Sequence, residues 1–314
     1  MSDKRPEWLA PDPAGIARAA ALLLAGEPVA VPTETVYGLS ARADSATAVA
    51  AIYRAKGRPD FNPLIVHVAD LAAAGELALL DERAQLLAQA FWPGPLTMVL
   101  PLRPGAAIAP AVTAGLPTIA IRCPAHRVMQ AVLAATGLPL AAPSANRSGG
   151  ISPTRAEHVA ASLGDKVAAI VDGLQCKQGL ESTILALRDN GDWQLLRHGP
   201  VTEGRLAALL GPPAPLADAR IEAPGQLARH YSPGKPVRLD VLRPAADEFQ
   251  IGFGAVAGEV TLSASGDLAE AAACLYACLH AAAAARQPRI AVAPVPASGI
   301  GAAINDRLRR AAAG

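Results

Sequence analysis

A chain of 314 residues is long enough for one large domain or two ordinary ones. Hydrophobic residues make up 52% and charged residues 18%, which provides for a buried core and excludes a disordered polar chain. The net charge of +1 excludes a protein that holds nucleic acid mainly by counterion release, so any RNA contact is expected to be weak.

Residues 1–8 lack the apolar stretch of a secretory signal. Helical spacing then covers 15–25, 46–55, 81–91, 126–136 and 154–163. Between these lie β-type runs at 29–31, 64–68, 96–100, 118–121, 138–142 and 167–171. Thr154-Arg155-Ala156-Glu157 fits a capping box at the start of its helix. The alternation predicts an α/β domain over 1–208, built on a twisted sheet. Proline and glycine cluster over 211–236, so 209–236 reads as a linker. Beyond it, a strand at 236–239, a helix over 267–285, a strand over 289–293 and a helix over 302–313 predict a small second α/β domain, 237–314. The Ala-rich stretch 271–285 carries His280 and is too short to span a membrane.

Directly after the strand at 29–31, Pro32-Thr33-Glu34-Thr35-Val36-Tyr37-Gly38 sets hydroxyls and one carboxylate between Pro and Gly. This is either a polar turn or a set of ligand groups at a strand's C-terminal end, where α/β sheets bind. Lys56-Gly57-Arg58-Pro59 closes a helix with cations. They either complement the helix C-terminus or, with Gly57 and Pro59 aiming the backbone, pair a point charge with a planar fork on a polyphosphate. His67, inside an apolar run, is either a satisfied core histidine or a site residue. Arg122 ends an apolar strand and needs an anionic partner, for which a substrate carboxylate is suitable. The loop 142–153 joins small residues to Ser144, Asn146 and Ser152 and runs into a helix N-terminus, an anion site. Ser182, Thr183 and Arg197 add hydroxyls and a further cation.

No P-loop occurs. Gly252-Phe253-Gly254-Ala255-Val256-Ala257 precedes a strand-like stretch at 259–262, where a dinucleotide fingerprint needs a helix. Cys274 and Cys278, with His280 nearby, make half a zinc site at most, and helix cysteines are more often core. With Cys123 and Cys176 they are too scattered for a disulfide framework and suit a reducing, cytoplasmic setting.

In order over residues 14 to 210, several of these segments together resemble the YrdC-like family. They are Pro32 to Leu39, Lys56 to Pro59, Asn62 to His67, Trp92 to Thr97, Ala142 to Asn146, Ser152 to Thr154 and Glu181 to Thr183. The segment Arg229-His230-Tyr231-Ser232-Pro233 and the ending Asn305-Asp306-Arg307-Leu308 resemble the family's longer, two-domain form. The resemblance implies an α/β fold: a YrdC-like twisted mixed sheet with helices, then a linker closing over the active site and a small Rossmann-like domain. It implies a nucleotidyltransferase that makes L-threonylcarbamoyladenylate and pyrophosphate from L-threonine, bicarbonate or CO2 and ATP. The product would pass to downstream tRNA threonylcarbamoyl-transfer proteins, for N6-threonylcarbamoyladenosine at position 37 of certain tRNAs.

The resemblance further implies that Thr35, His67, Arg122, the backbone at Ala142, and Ser182 hold threonine. Arg58, Asn62, Thr118, Ser144, Asn146, Ser152 and Arg197 would contact ATP, with Lys56 near the phosphates and Tyr231 closing the site from the linker. Lys56 and Arg58 would be the catalytic cations, and no general-base dyad is required where positioning and charge stabilisation suffice. The motifs are poor in carboxylates, so Mg2+ is expected on the ATP phosphates rather than in a protein cage. Two departures stand out: Gln226 where the family often has Met, and a second domain shorter than usual. The competing readings are an RNA-binding module without enzymatic activity and a carbamoyltransferase of hydrogenase maturation, whose zinc-finger cysteine pairs are missing here.

Overall fold

Local signals start and stop the helices that carry the site. Ser45 accepts from the Ala48 N–H at 3.3 Å to begin α2 (Ala46–Lys56), and Gly57, at φ 59°, ends it in the left-handed conformation that glycine adopts without penalty. Asp12 caps α1 (Pro13–Leu24) in the same way, with Pro13 at a position where no amide donor is needed. The molecule is a computed structural model that describes residues 5–58, 62–215, 222–224 and 230–314. Pro59 and Gln226, singled out above, lie outside the described residues.

The first unit contains strands β1 (Glu7–Leu9), β2 (Val29–Val31), β3 (Gly38–Arg42), β4 (Ile65–His67) and β5 (Leu96–Pro101). It continues with β6 (Thr118–Arg122), β7 (Leu140–Ala141), β8 (Ala169–Val171), β9 (Thr183–Leu187) and β10 (Trp193–Arg197). Among the described residues these make one mixed sheet in the order β1-β8-β2-β3-β7-β4-β6-β5-β9-β10. Its helices are α1, α2, α3 (Leu71–Gly75), α4 (Glu82–Phe91), α5 (Pro110–Thr113), α6 (Arg127–Thr136), α7 (Ala156–Leu163) and α8 (Glu203–Leu210). Two apolar clusters flank the sheet. One joins Ile52 of α2 and Leu87 of α4 to Leu39, Val66 and Met98. The other joins Leu23 of α1 and Met129 and Val132 of α6 to Val29, Val31 and Val171. Strands covered on both faces read as unbroken apolar runs, which is why β2, β5 and β8 were legible.

The second unit is a parallel sheet in the order β11-β14-β12-β13, made of β11 (Val237–Arg238), β12 (Glu248–Gly252), β13 (Val260–Thr261) and β14 (Arg289–Val292). Helices α9 (Leu268–Ala284) and α10 (Gly301–Ala312) pack with it. Its core is not its own: Val36, Ile151 and Leu180 of the first unit, and Tyr231, join Tyr276, Leu279 and Ile304 in one cluster. The two units therefore share a buried boundary.

One local reading changes. The capping box does not form: the cap of α7 is Arg155, while Thr154 is fully buried and its N–H points to His158 Nδ1 at 3.3 Å. Tertiary burial of Thr154 outweighs its capping propensity. The Gly252–Gly254 stretch leads from β12 through a turn into the parallel β13, so no helix N-terminus stands beside it. Cys278 lies buried with its thiol toward the Thr261 carbonyl, and His280 stacks on His158 with ring centroids 3.8 Å apart. Among the described residues no three potential metal ligands cluster.

Candidate active site

Parallel pairing of β4 with β6 sets His67 directly opposite Arg122 at the same end of the sheet. The 32–37 segment turns from β2 into the antiparallel β3, and Thr33 organises that turn. Its hydroxyl donates to the Val36 carbonyl at 2.6 Å and accepts from the Thr35 and Val36 N–H groups at 3.2 Å. The segment is thus a hydroxyl-built turn whose next hydroxyl, Thr35, faces the Arg122 Nη1 at 2.9 Å. Gly38 permits the approach of the following loop: a Cβ there would lie 3.2 Å from the Ala142 Cβ. Ser182 leads into β9, and Arg197, at the end of β10, donates from Nε to the Ser182 carbonyl at 2.9 Å and from Nη2 to its hydroxyl at 3.0 Å.

Thr35, Arg58, His67, Arg122, Ala142, Ser144, Ser182, Arg197 and Tyr231 all line one cleft. His230 and Pro224 also line it, and together these residues leave a space of about 40 Å³. The other named residues brace this cleft or stand apart from it. Lys56 Nζ donates to the carbonyls of Ser144 and Asn146, both at 2.6 Å, and the Lys56 carbonyl accepts from the Ser148 N–H at 2.9 Å. Asn146 closes its own loop by donating to the Arg147 and Gly150 carbonyls. Ser152 Oγ donates to Glu181 at 2.5 Å. Asn62 is buried, and its carbonyl receives the Tyr53 hydroxyl at 3.1 Å. Thr118 begins β6, four residues before Arg122 and so about 13 Å along the strand.

The electrostatics divide the cleft. Burial works to raise the Glu34 carboxyl, but Arg122, at 2.5 Å, prevails and holds it below its ordinary value. The Arg122 Nε reaches the Gly94 carbonyl at 3.1 Å, so three of the five guanidinium N–H donors have protein partners among the described residues. Burial, and then the Arg122 charge, push His67 well below the usual imidazole range, so its ring is neutral. Its Nδ1 finds no partner among the described residues, the kind of buried atom a ligand completes. Toward the other end, burial lowers Lys56 well below its usual value and brings Arg58 down to about 10, still protonated near neutral pH. Among the described residues Arg58 donates to the Asn62 and Pro63 carbonyls, at 3.3 and 3.1 Å.

Sequence reading did not assign Glu181, Tyr276, Arg307 or the Glu34 carboxylate. Burial opposes ionisation of Glu181, yet Arg307, Arg197, Ser152 and Tyr276 hold it at about 2. Glu181 and Arg307 are 126 residues apart and no local pattern links them. The available signal was negative: a carboxylate just ahead of the apolar β9 run demands a buried cation from elsewhere.

Residues 21–199 match the model of the Sua5/YciO/YrdC family, described as "Telomere recombination", and residues 201–313 match the "Threonylcarbamoyl-AMP synthase, C-terminal domain" family. The chain is 41% identical to the threonylcarbamoyl-AMP synthase of Bacillus subtilis (strain 168), over 95% of its own length and 93% of that protein. Its fold matches the crystal structure of P. abyssi Sua5 complexed with L-threonine at a TM-score of 0.88 and 33% identity, covering 98% of this chain and 97% of the other. The structure of E. coli YciO, at 22% identity and a TM-score of 0.54 over 62% of this chain and 96% of that one, shares the fold alone.

Proposed function

The chain belongs to the Sua5/YrdC family of threonylcarbamoyl-AMP synthases, and we propose that its cleft is where L-threonine, bicarbonate or CO2 and ATP are joined. The activity is formation of threonylcarbamoyl-AMP for tRNA N6-threonylcarbamoyladenosine. The observation that carries the site assignment is convergence: an arginine–threonine–neutral histidine corner and a second corner with Arg58, Ser144 and Arg197 face one cleft. A binding module without chemistry finds no support in this family.

In this reading the threonine carboxylate takes the two Arg122 donors left after Glu34, Thr35 and Gly94, and His67 Nδ1 accepts from a polar hydrogen of the amino acid. The threonine nitrogen adds to the carbon of CO2 and releases a proton to water, giving a carbamate. A carbamate oxygen then attacks the α-phosphorus, the bond to the bridging oxygen breaks, and pyrophosphate leaves. Arg58 and Arg197 stabilise the charge on the departing phosphates. Lys56, with two of its three ammonium donors on Ser144 and Asn146, fixes the loop against which the nucleotide lies and keeps one donor for phosphate. ATP enters as its Mg2+ complex, because the carboxylate in the cleft, Glu181, is already saturated by Ser152, Tyr276 and Arg307.

A nucleotide needs far more than the present space, since small-molecule sites run to about 300–1,000 Å³. The segment bearing His230 and Tyr231 therefore lifts to admit ATP. Tyr231 sits at φ 64°, an uncommon setting for a tyrosine, and is held there by packing. The four cysteines are free, which suits the reducing cytoplasmic setting we assign, and among the described residues no helix is long and apolar enough to cross a membrane. The product is a mixed anhydride, so it requires an acceptor protein that transfers the threonylcarbamoyl group to tRNA. The test is pyrophosphate release from ATP and bicarbonate with and without L-threonine. Release that depends on threonine supports the reading, and threonine-independent or absent release overturns it.

A further inference from the structure

Strand β5 buries Leu96, Met98, Val99 and Leu100, and the hydroxyl residue among them, Thr97, is fully buried as well. A valine has the same β-branched shape and no hydroxyl to desolvate, so packing alone does not call for threonine here. The sheet order sets β5 between β6, which ends in Arg122, and β9, which Ser182 precedes. Thr97 Oγ1 lies 2.7 Å from Ser182 Oγ.

The count of hydrogens gives that bond a direction. Arg197 Nη2 donates to Ser182 Oγ at 3.0 Å, and a guanidinium cannot accept, so one Ser182 lone pair is taken. Thr97 and Ser182 carry one hydroxyl hydrogen each, and among the described residues neither has an acceptor besides the other hydroxyl. One of the two hydrogens is therefore left over. On Thr97 it would be sealed inside the sheet as an unpaired donor, which costs its full desolvation. On Ser182 it faces the cleft, which Ser182 lines and where water or substrate can accept it. Thr97 thus donates, both Ser182 lone pairs are filled, and the Ser182 hydroxyl is left with its hydrogen alone to offer.

We propose that Thr97 is a positioning residue for the amino-acid substrate: it holds Ser182 as an obligate hydrogen-bond donor to an oxygen of L-threonine, without touching the substrate itself. The assignment rests on the cleft being where L-threonine binds. Two fixed partners remove the rotation that a free serine hydroxyl would lose on binding, so the gain appears as affinity for the amino acid. ATP gains nothing from it.

The test is steady-state pyrophosphate release by the full chain, varying threonine and ATP separately at a temperature where circular dichroism shows every variant folded. Thr97→Val keeps the branched shape and removes the hydroxyl; Thr97→Ser restores the hydroxyl. Thr97→Val is expected to raise the threonine KM about five- to tenfold with the ATP KM within about twofold, and Thr97→Ser to stay within about twofold for both. In a Ser182→Ala background, Thr97→Val should add less than about twofold to the threonine KM, because the hydroxyl it orients is gone. If Thr97→Val does not fold, Thr97→Ala takes its place beside Thr97→Ser. A threonine KM within about twofold of wild type in the folded hydroxyl-free variant overturns the role, as do threonine and ATP KM values that rise together. An effect that persists undiminished in Ser182→Ala overturns it too. Absence of threonine-dependent release in the wild-type chain overturns the reading of the cleft itself, so the two failures are told apart by the wild type.

Discussion

At one end of the cleft, Thr35, His67 and Arg122 are set by the ends of β2, β4 and β6, strands of one sheet, and the Arg122–Glu34 pair closes within that domain. Toward the other end, Arg197 donates to Ser182, a residue read above as holding threonine, and the walls beside them are held by Tyr276 and Arg307 from a second domain and by Tyr231 from the segment between. The first arrangement is preorganised by backbone pairing and changes only if the sheet does. The second depends on the packing of the two domains and of Tyr231 against each other. In the reading proposed above, the small amino acid takes the sheet-built end and the larger nucleotide the end shared between the domains.

The sharpest break in that comparison is Arg58→Ala. Among the described residues Arg58 donates to backbone carbonyls, so its loss strands no buried charge there. We expect pyrophosphate release to fall by about 100-fold or more with a nearly unchanged thermal midpoint, read by coupled assay and calorimetry. Arg122→Ala acts on the other end and behaves differently. The threonine KM should rise about 10- to 100-fold, and stability should drop by about 3–5 kcal/mol in denaturant titration because Glu34 is left buried and unpaired. Adding Glu34→Gln to Arg122→Ala should recover much of the stability and none of the threonine affinity; recovery of both would remove Arg122 from the substrate site.

The smallest effect concerns pH at the domain boundary. His158, stacked on His280, is depressed by burial and the neighbouring cations to about 3, and burial likewise brings His230 to about 3, from an ordinary 6.5. Unfolded chain binds these protons near pH 6.5 and folded chain only near pH 3, so the stability these groups contribute is intact above 6.5 and drains away between the two. Glu181, at about 2 against 4.5, adds a second loss as pH falls from about 4.5 to 2. The thermal midpoint should therefore decline below pH 6.5, and His158→Gln should flatten that decline by a few degrees, about the size of a 1 kcal/mol change. A midpoint level from pH 7 to 4 in the wild type would contradict the burial of these rings.

The features legible in the residues are contiguous ones. Helix α2 announced itself by apolar spacing and by Gly57, which terminates it and delivers Lys56 and Arg58 together. Continuous apolar runs marked β2, β5 and β8. The short strands β3 and β10 escaped because they lack a long apolar run. Gly38 and Arg42 bracket β3, and only pairing with β2 and β7 makes it a strand. Asn146, Lys56 and Ser152 were visible as polar groups, but not that they brace the loops behind the cleft.

Local chemistry alone thus decided where helices end, which runs are buried, and which motifs carry polar groups at strand ends, because those depend on spacing of a few residues. Whether Lys56 meets carbonyls or solvent, whether His67 is neutral, and whether Glu181 finds Arg307 across 126 positions were decided by tertiary structure. The reason is physical: the state of a buried charge is set by the partners that folding brings within hydrogen-bond distance, and for Glu181 two of those partners, Tyr276 and Arg307, lie in another domain.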